Sequence, residues 1–341
     1  MIAADPRRTD EQALVATALL SGTAEEELEL IVRTIADEFE RAVFGATSQW
    51  RRSARLLAVI LFGAHAVETP VTAGPGGEML DRQVLIVVSD ERLTDYHRYW
   101  SGANERLQRA YTILGSLSVP VNLLVRSVKY VNDHLERGTP FFSNIVDGGF
   151  RLYEASSCPF SKSRKLGTDA ARPEGCAAFE EWMSAAERRL KMFVIEEAEG
   201  RRNTIWRRDA AFTLHQAVER LYGCMLLTRE GYSPPTHQIG ALRSLAEQVE
   251  TTLFEAWPRE TKDERRAFEL LRQAYIRGRY ARDFRITEQE LAWLADRAEV
   301  LRRLVRKACE ETLLTADRKI QPALGIGANP PSRASKATRG G

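Results

Sequence analysis

Leu56-Leu57-Ala58-Val59-Ile60-Leu61-Phe62-Gly63-Ala64-His65-Ala66 leads, through Gly74-Pro75-Gly76-Gly77-Glu78-Met79-Leu80, into Asp81-Arg82-Gln83-Val84-Leu85-Ile86-Val87-Val88-Ser89. The run from Leu56 to Phe62 is apolar without alternation, which predicts a strand buried on both faces. Val84 to Val88 repeats the pattern. Gly63 ends the first strand and the glycine-rich turn joins it to the second, with Asp81 at that strand's head.

Outward from this pair, Leu28, Ile31, Val32, Ile35, Phe39 and Val43 recur at helical intervals behind Glu25-Glu26-Glu27, so the first fifty residues read as helical and cover the sheet. The stretch Tyr96 to Leu114 reads as an amphipathic helix, and Val119 to Val125 as a third strand. Lys129 to Leu135 and Phe141 to Val146 are short helices before a last strand, Phe150 to Tyr153. Ser156 to Gly175, rich in Ser, Lys, Arg, Pro and Gly, reads as a linker. Beyond it only helical periods remain: Ala177 to Ala198, Thr204 to Leu227, His237 to Gln248, Arg265 to Tyr280 and Glu288 to Leu313. Thr287 with Glu290 is a capping box opening the last of them.

The expected fold class is α+β: an N-terminal α/β domain with a small mixed sheet over 1–155, a linker over 156–175, an all-α bundle over 176–315 and a disordered basic tail over 316–341. Arg318 to Gly341 carries five Arg or Lys and no acid. Elsewhere charge is balanced. With 49 basic and 47 acidic residues the net charge of +2 gives no general attraction to DNA or anionic membrane. The longest apolar run is nine residues, Leu56 to Ala64, against the roughly 20 that cross a bilayer. No signal-peptide pattern opens the chain, and the scattered Cys158, Cys176, Cys224 and Cys309 lack metal-ligand spacing. A cytoplasmic location with reduced thiols is the expectation.

The strand, glycine turn and strand resemble the active-site frame of nucleotidyltransferases in the subfamily fused to a HEPN helical domain, as does PFFSNIVDGGFRLYEA from Pro140 to Ala155. In that frame a Gly-Ser turn offers backbone N–H groups and a hydroxyl to a triphosphate. An Asp-x-Asp pair on the next strand holds Mg²⁺, because side chains at i and i+2 share a face. The resemblance implies Gly63, Ala64 and His65 as nucleotide contacts for ATP or another nucleotide, and Asp81 and Gln83 as catalytic positions, with Asp81 as metal ligand. Three positions depart from it: Ala64 replaces Ser, Gln83 the second carboxylate and Asn122 a third acidic residue. An amide oxygen carries no charge for a hard cation. The readings left open are catalysis with Asp81 and a substitute such as Glu78, binding without transfer, and a scaffold.

In the helical half, FTLHQAVERLYGCMLL from Phe212, GYSPPTHQIGAL from Gly231 and YIRGRYARDFRIT from Tyr275 resemble HEPN domains, in order, over Ala177 to Leu313. His215 and Glu219 share a helix face. With Arg279 and Tyr280 they either line a cleft for nucleotide or RNA or form a buried polar network. His237 reads as a helix-start residue. HEPN ribonucleases use an Arg and a His separated by four to six residues. The corresponding stretch, Arg277 to Phe284, has arginines and no His, and the one match, Arg208 with His215, lies in an earlier helix. The resemblance implies a nucleotide- or RNA-binding protein with a degraded transferase site, homodimeric through the HEPN domain. The alternatives are an active transferase on a protein or small acceptor, and a metal-independent HEPN ribonuclease or toxin-antitoxin-like stress module.

Overall fold

The computed structural model describes residues 22–66, 80–156, 158–164, 168–281 and 283–320. Its centre is a four-stranded sheet in the order β3-β2-β1-β4, with β1 Leu56–Phe62, β2 Arg82–Val88, β3 Val121–Ser127 and β4 Phe150–Glu154. The sheet is mixed. β2 and β3 run parallel, with Gln83 opposite Asn122, while β1 is antiparallel to both β2 and β4. Every residue of β1 and β2 is buried, as the unbroken apolar runs require of strands covered on both faces. The third strand starts two residues later than its sequence pattern, because Pro120 has no N–H for the ladder. The Pro120 carbonyl instead accepts the Arg82 N–H at 2.8 Å.

One face of the sheet is covered by α1 Gly22–Val43 and the helices after β2. Leu28, Ile31 and Ile35 of α1 pack with Val59, Leu61, Val84, Ile86, Trp100 and Leu107. The short α2 Gln49–Arg52 precedes β1. After β2 the predicted single helix is three pieces: α3 Tyr96–Tyr99, α4 Ser101–Arg109 and a π turn, Ala110–Leu114. Buried Arg82 pairs with Glu27 of α1, which ties the head of β2 to this layer.

The other face carries α5 Val128–Arg137 and α6 Pro140–Gly148, and beyond them the helices α7 Thr168–Gly200, α8 Thr204–Glu230, α9 Ile239–Val249, α10 Lys262–Ala274, α11 Arg277–Tyr280 and α12 Glu288–Ile320. Ile60, Phe62, Leu85 and Val87 belong to the same buried cluster as Val131, Phe142, Leu214, Leu221, Leu242, Trp257, Leu294 and Leu301. One hydrophobic core therefore continues from the sheet into the bundle. Tyr232, from the loop after α8, stacks on Phe141 at 4.7 Å and receives a hydrogen bond from Arg126 of β3 at 3.1 Å.

Caps set the long helices. Asn203 Oδ1 accepts from the Ile205 N–H at 2.9 Å to open α8, and Gly231, at φ +65°, closes it. Thr287 and Glu290 form the expected capping box on α12. Three sequence boundaries are corrected. The helix α7 begins inside the stretch read as linker, with Pro173 near its start, where a missing N–H costs at most one hydrogen bond. The stretch Arg265 to Tyr280 breaks into α10 and α11. The last helix continues to Ile320, into the tail expected to be disordered, whose residues 321–341 lie outside the described residues.

Candidate functional site

The end of the sheet that resembles a nucleotide site faces α9. Gly63 adopts φ +77°, and a Cβ there would overlap Oε1 of Gln248. That same oxygen accepts the Ala64 N–H at 3.2 Å, and the Gln248 amide donates to the Asp81 carbonyl at 3.2 Å. The backbone donor that a phosphate oxygen would use is thus held by a side-chain amide of the helical half. His65 turns away from the turn, its Nε2 2.7 Å from the Leu80 carbonyl, and burial lowers its pKa.

The strand side of this site is equally occupied. Gln83 Nε2 donates to Ser244 Oγ at 2.8 Å, and Asn122 Nδ2 donates to Asp81 Oδ2 at 3.1 Å. Burial pushes the Asp81 carboxyl up; hydrogen bonds from Asn122 and Ser244 and the charge of Arg259 oppose the shift, and the charge of Glu247 adds to it. Glu247 itself is buried and held at 2.7 Å by Arg243 and at 2.9 Å by Arg259. The donor set does not fit Mg²⁺. It offers one carboxylate, disfavoured as an anion, and two amides that already donate to protein oxygens. Among the described residues no three His, Cys, Asp or Glu side chains gather as metal ligands. Glu78, named as a substitute carboxylate, lies outside the described residues.

A second polar cluster sits among α8, α10 and the start of α9. His215 is fully buried, with Nδ1 2.9 Å from the Leu271 carbonyl and Nε2 3.0 Å from the His237 carbonyl. Burial lowers its pKa, while those carbonyls and the Glu219 charge favour the imidazolium. A neutral ring donates to only one of the two carbonyls, so His215 serves as a junction of three segments. Arg208 is locked in the same way, donating to the carbonyls of Gly278 and Ala281 at 3.1 and 2.9 Å. Arg208 and His215 therefore do not form the reactive pair that their spacing suggested. Those contacts also explain the break before α11: Gly278 lies against the Arg208 backbone, where a Cβ would touch the carbonyl at 3.5 Å.

His237 is different. Its side chain is 55% exposed, and Nδ1 lies 3.0 Å from Glu219 Oε2. Its ring stacks on Tyr275 at 4.4 Å, and Tyr275 in turn stacks on His215 at 5.3 Å. The structure thus unites His215 and Glu219 and adds His237 and Tyr275, while the side chains of Arg279 and Tyr280 lie outside the described residues. Sequence reasoning passed over Ser244, Glu247 and Gln248. Their signal was present: in an otherwise apolar helix they fall at i, i+3 and i+4, a polar stripe that needs a polar partner.

Among the described residues no helix is long and apolar enough to cross a membrane. No curated protein shows a significant match to the chain. Residues 179–308, spanning the His215 cluster and α9, match the family model described as HEPN domain, so the helical half is a HEPN domain.

Proposed function

We propose that this chain is an RNA-binding protein of the nucleotidyltransferase-HEPN type, in which the transferase-like site is degraded and closed and the HEPN half does the binding. The observation that carries the reading is the placement of Gln248 in the Gly63 turn, on the N–H that a triphosphate would need. It is supported by Asp81 and Gln83, both engaged by neighbouring amides and Ser244. RNA meets the helical half at the exposed His237–Tyr275 stack, where an aromatic face supports a base. Arg272 and Arg277 flank Tyr275 in sequence and are about half exposed.

A second reading rests on one feature. The His237 ring is oriented by a carboxylate through Nδ1 and has no printed partner on Nε2 among the described residues, the arrangement of a general acid/base. In this reading the HEPN domain cleaves RNA without metal through His237, not through the enclosed His215. Fluorescence anisotropy with labelled single-stranded RNA, run in EDTA beside gel analysis of the same RNA, separates the two. Binding that weakens in His237→Ala and is unchanged in Asp81→Asn is expected. Intact RNA eliminates the cleavage reading. Absence of RNA binding, or label transferred from ATP or GTP with Mg²⁺, overturns the proposal.

A further inference from the structure

The outer face of α7 carries apolar and charged residues that no described neighbour covers. At 100° per residue, Arg188, Met192, Ile195 and Glu199 lie within one narrow stripe. That stripe is opposite Met183, Ala186 and Phe193, which are buried against the bundle. Met192 is 51% and Ile195 58% exposed, and Arg188, Lys191 and Glu199 are exposed around them. Arg188 donates only within its own helix, to Ser184 at 2.6 Å. At the Glu199 end, Gly200 sits against Arg207, so Ile205 and Trp206, also exposed, enlarge the apolar surface there.

The order of these residues has a centre. Equal steps away from the point between Phe193 and Val194 pair Met192 with Ile195, Lys191 with Glu196, and Arg188 with Glu199. Basic residues lie on one side of that point and acidic ones on the other. A second α7 laid antiparallel across the first, about a two-fold axis at that point, places Met192 of each copy on Ile195 of the other. It also places Arg188 of each against Glu199 of the other. A parallel alignment would set like charges together. An RNA strand would meet Glu199 and its acidic neighbours, so the stripe is complementary to itself and not to a polyanion.

We infer that the exposed stripe Arg188-Met192-Ile195-Glu199 of α7 is a self-association surface, taking a second copy of this chain in antiparallel, two-fold register. The inference is independent of what the HEPN domain binds. The apolar centre supplies the attraction, and the flanking charges fix the direction, as opposite-charge rims do in isologous contacts.

Sedimentation velocity of the full chain over a concentration series tests this. Wild type dimerises, and Met192→Glu is monomeric with an unchanged melting temperature. Arg188→Glu and Glu199→Arg each weaken self-association by about tenfold or more, since two repulsive contacts replace two attractive ones. Mixed in equal amounts, these two variants recover a dimer, because each supplies the charge that the other lacks. Recovery on mixing rules out misfolding as the cause of the single-variant losses. A monomeric wild type, a dimer indifferent to all three changes, or a mixture that stays monomeric overturns the inference.

Discussion

The turn at Gly63 and the cluster at His215 are both polar places enclosed by the same HEPN helices, yet they differ in what can still reach them. At Gly63 the helix α9 fills the space, and the groups that would meet a ligand donate to or accept from protein: Ala64 N–H to Gln248, Gln83 to Ser244, Asn122 to Asp81. At His215 the inner ring is likewise held by two carbonyls, but its neighbour His237 stands half in solvent with a carboxylate behind it. Residue type alone would have ranked these sites the other way, since the first looks like an enzyme's and the second like a core. Access decides between them. A side chain whose hydrogen-bonding groups are all engaged by protein must give up those bonds before it serves a ligand, at roughly 0.5–1.5 kcal/mol each.

The largest expected effect separates the inner from the outer histidine. His215→Ala leaves the Leu271 and His237 carbonyls without their partner and opens a cavity between α8 and α10, a loss of about 2–4 kcal/mol in unfolding free energy. His237→Ala removes a half-exposed ring and lowers stability by less than about 1 kcal/mol, while weakening RNA binding. Denaturant unfolding of the two variants checks this order; equal losses would mean that His237 is as structural as His215.

Next in size is the contact of α9 with the glycine turn. Gly63→Ala meets a left-handed backbone cost of roughly 1–2 kcal/mol and an overlap with Gln248. Gln248→Ala in the same chain removes the overlap and leaves the backbone cost. The double variant is therefore more stable than the sum of the two single changes predicts. Strict additivity in thermal melts would show that Gln248 does not occupy the turn in solution.

This contact also marks how far the sequence could be read. The buried strands were plain in Leu56 to Phe62 and Val84 to Val88, because continuous apolar runs have few other uses, and Asn122 fell on the side of Asp81 as strand register required. The HEPN pieces were legible in order over the helical half. What could not be read was which helix face meets which strand end, since that depends on the tertiary path of the loop from Gly231 to Gln238. Ser244, Glu247 and Gln248 were consequently passed over, and His237 was taken for a helix start although Glu219 holds it. The break at α11 was missed for a related reason. Helical periodicity continues through Tyr275 and Ile276, and only the approach of Gly278 to Arg208 ends it.

The smallest expected effect concerns the charge of Asp81, and its sign discriminates best between a retired site and a working one. Burial raises the folded-state pKa of this carboxyl above its ordinary value of 3.8, so folding favours the protonated form. Its contribution to stability is fully present below the unfolded value and is lost as pH rises through the folded one, leaving a constant penalty at neutral pH. Asp81→Asn removes the charge and retains an oxygen able to accept from Asn122. The variant should therefore melt slightly above wild type at neutral pH, and the difference should close as the buffer is taken down toward the ordinary carboxylate range. A variant less stable than wild type at neutral pH would place the ionised carboxylate among the attractions that hold Arg259 and would contradict a site in which that charge is merely tolerated. In a working metal site the removed charge would instead be the one that the cation needs, and Mg²⁺ would raise the melting temperature of wild type alone. An Mg²⁺-independent melt for both proteins, with the variant ahead at neutral pH and level in acid, is the outcome that the packing of α9 against Asp81 and Gln83 leads us to expect.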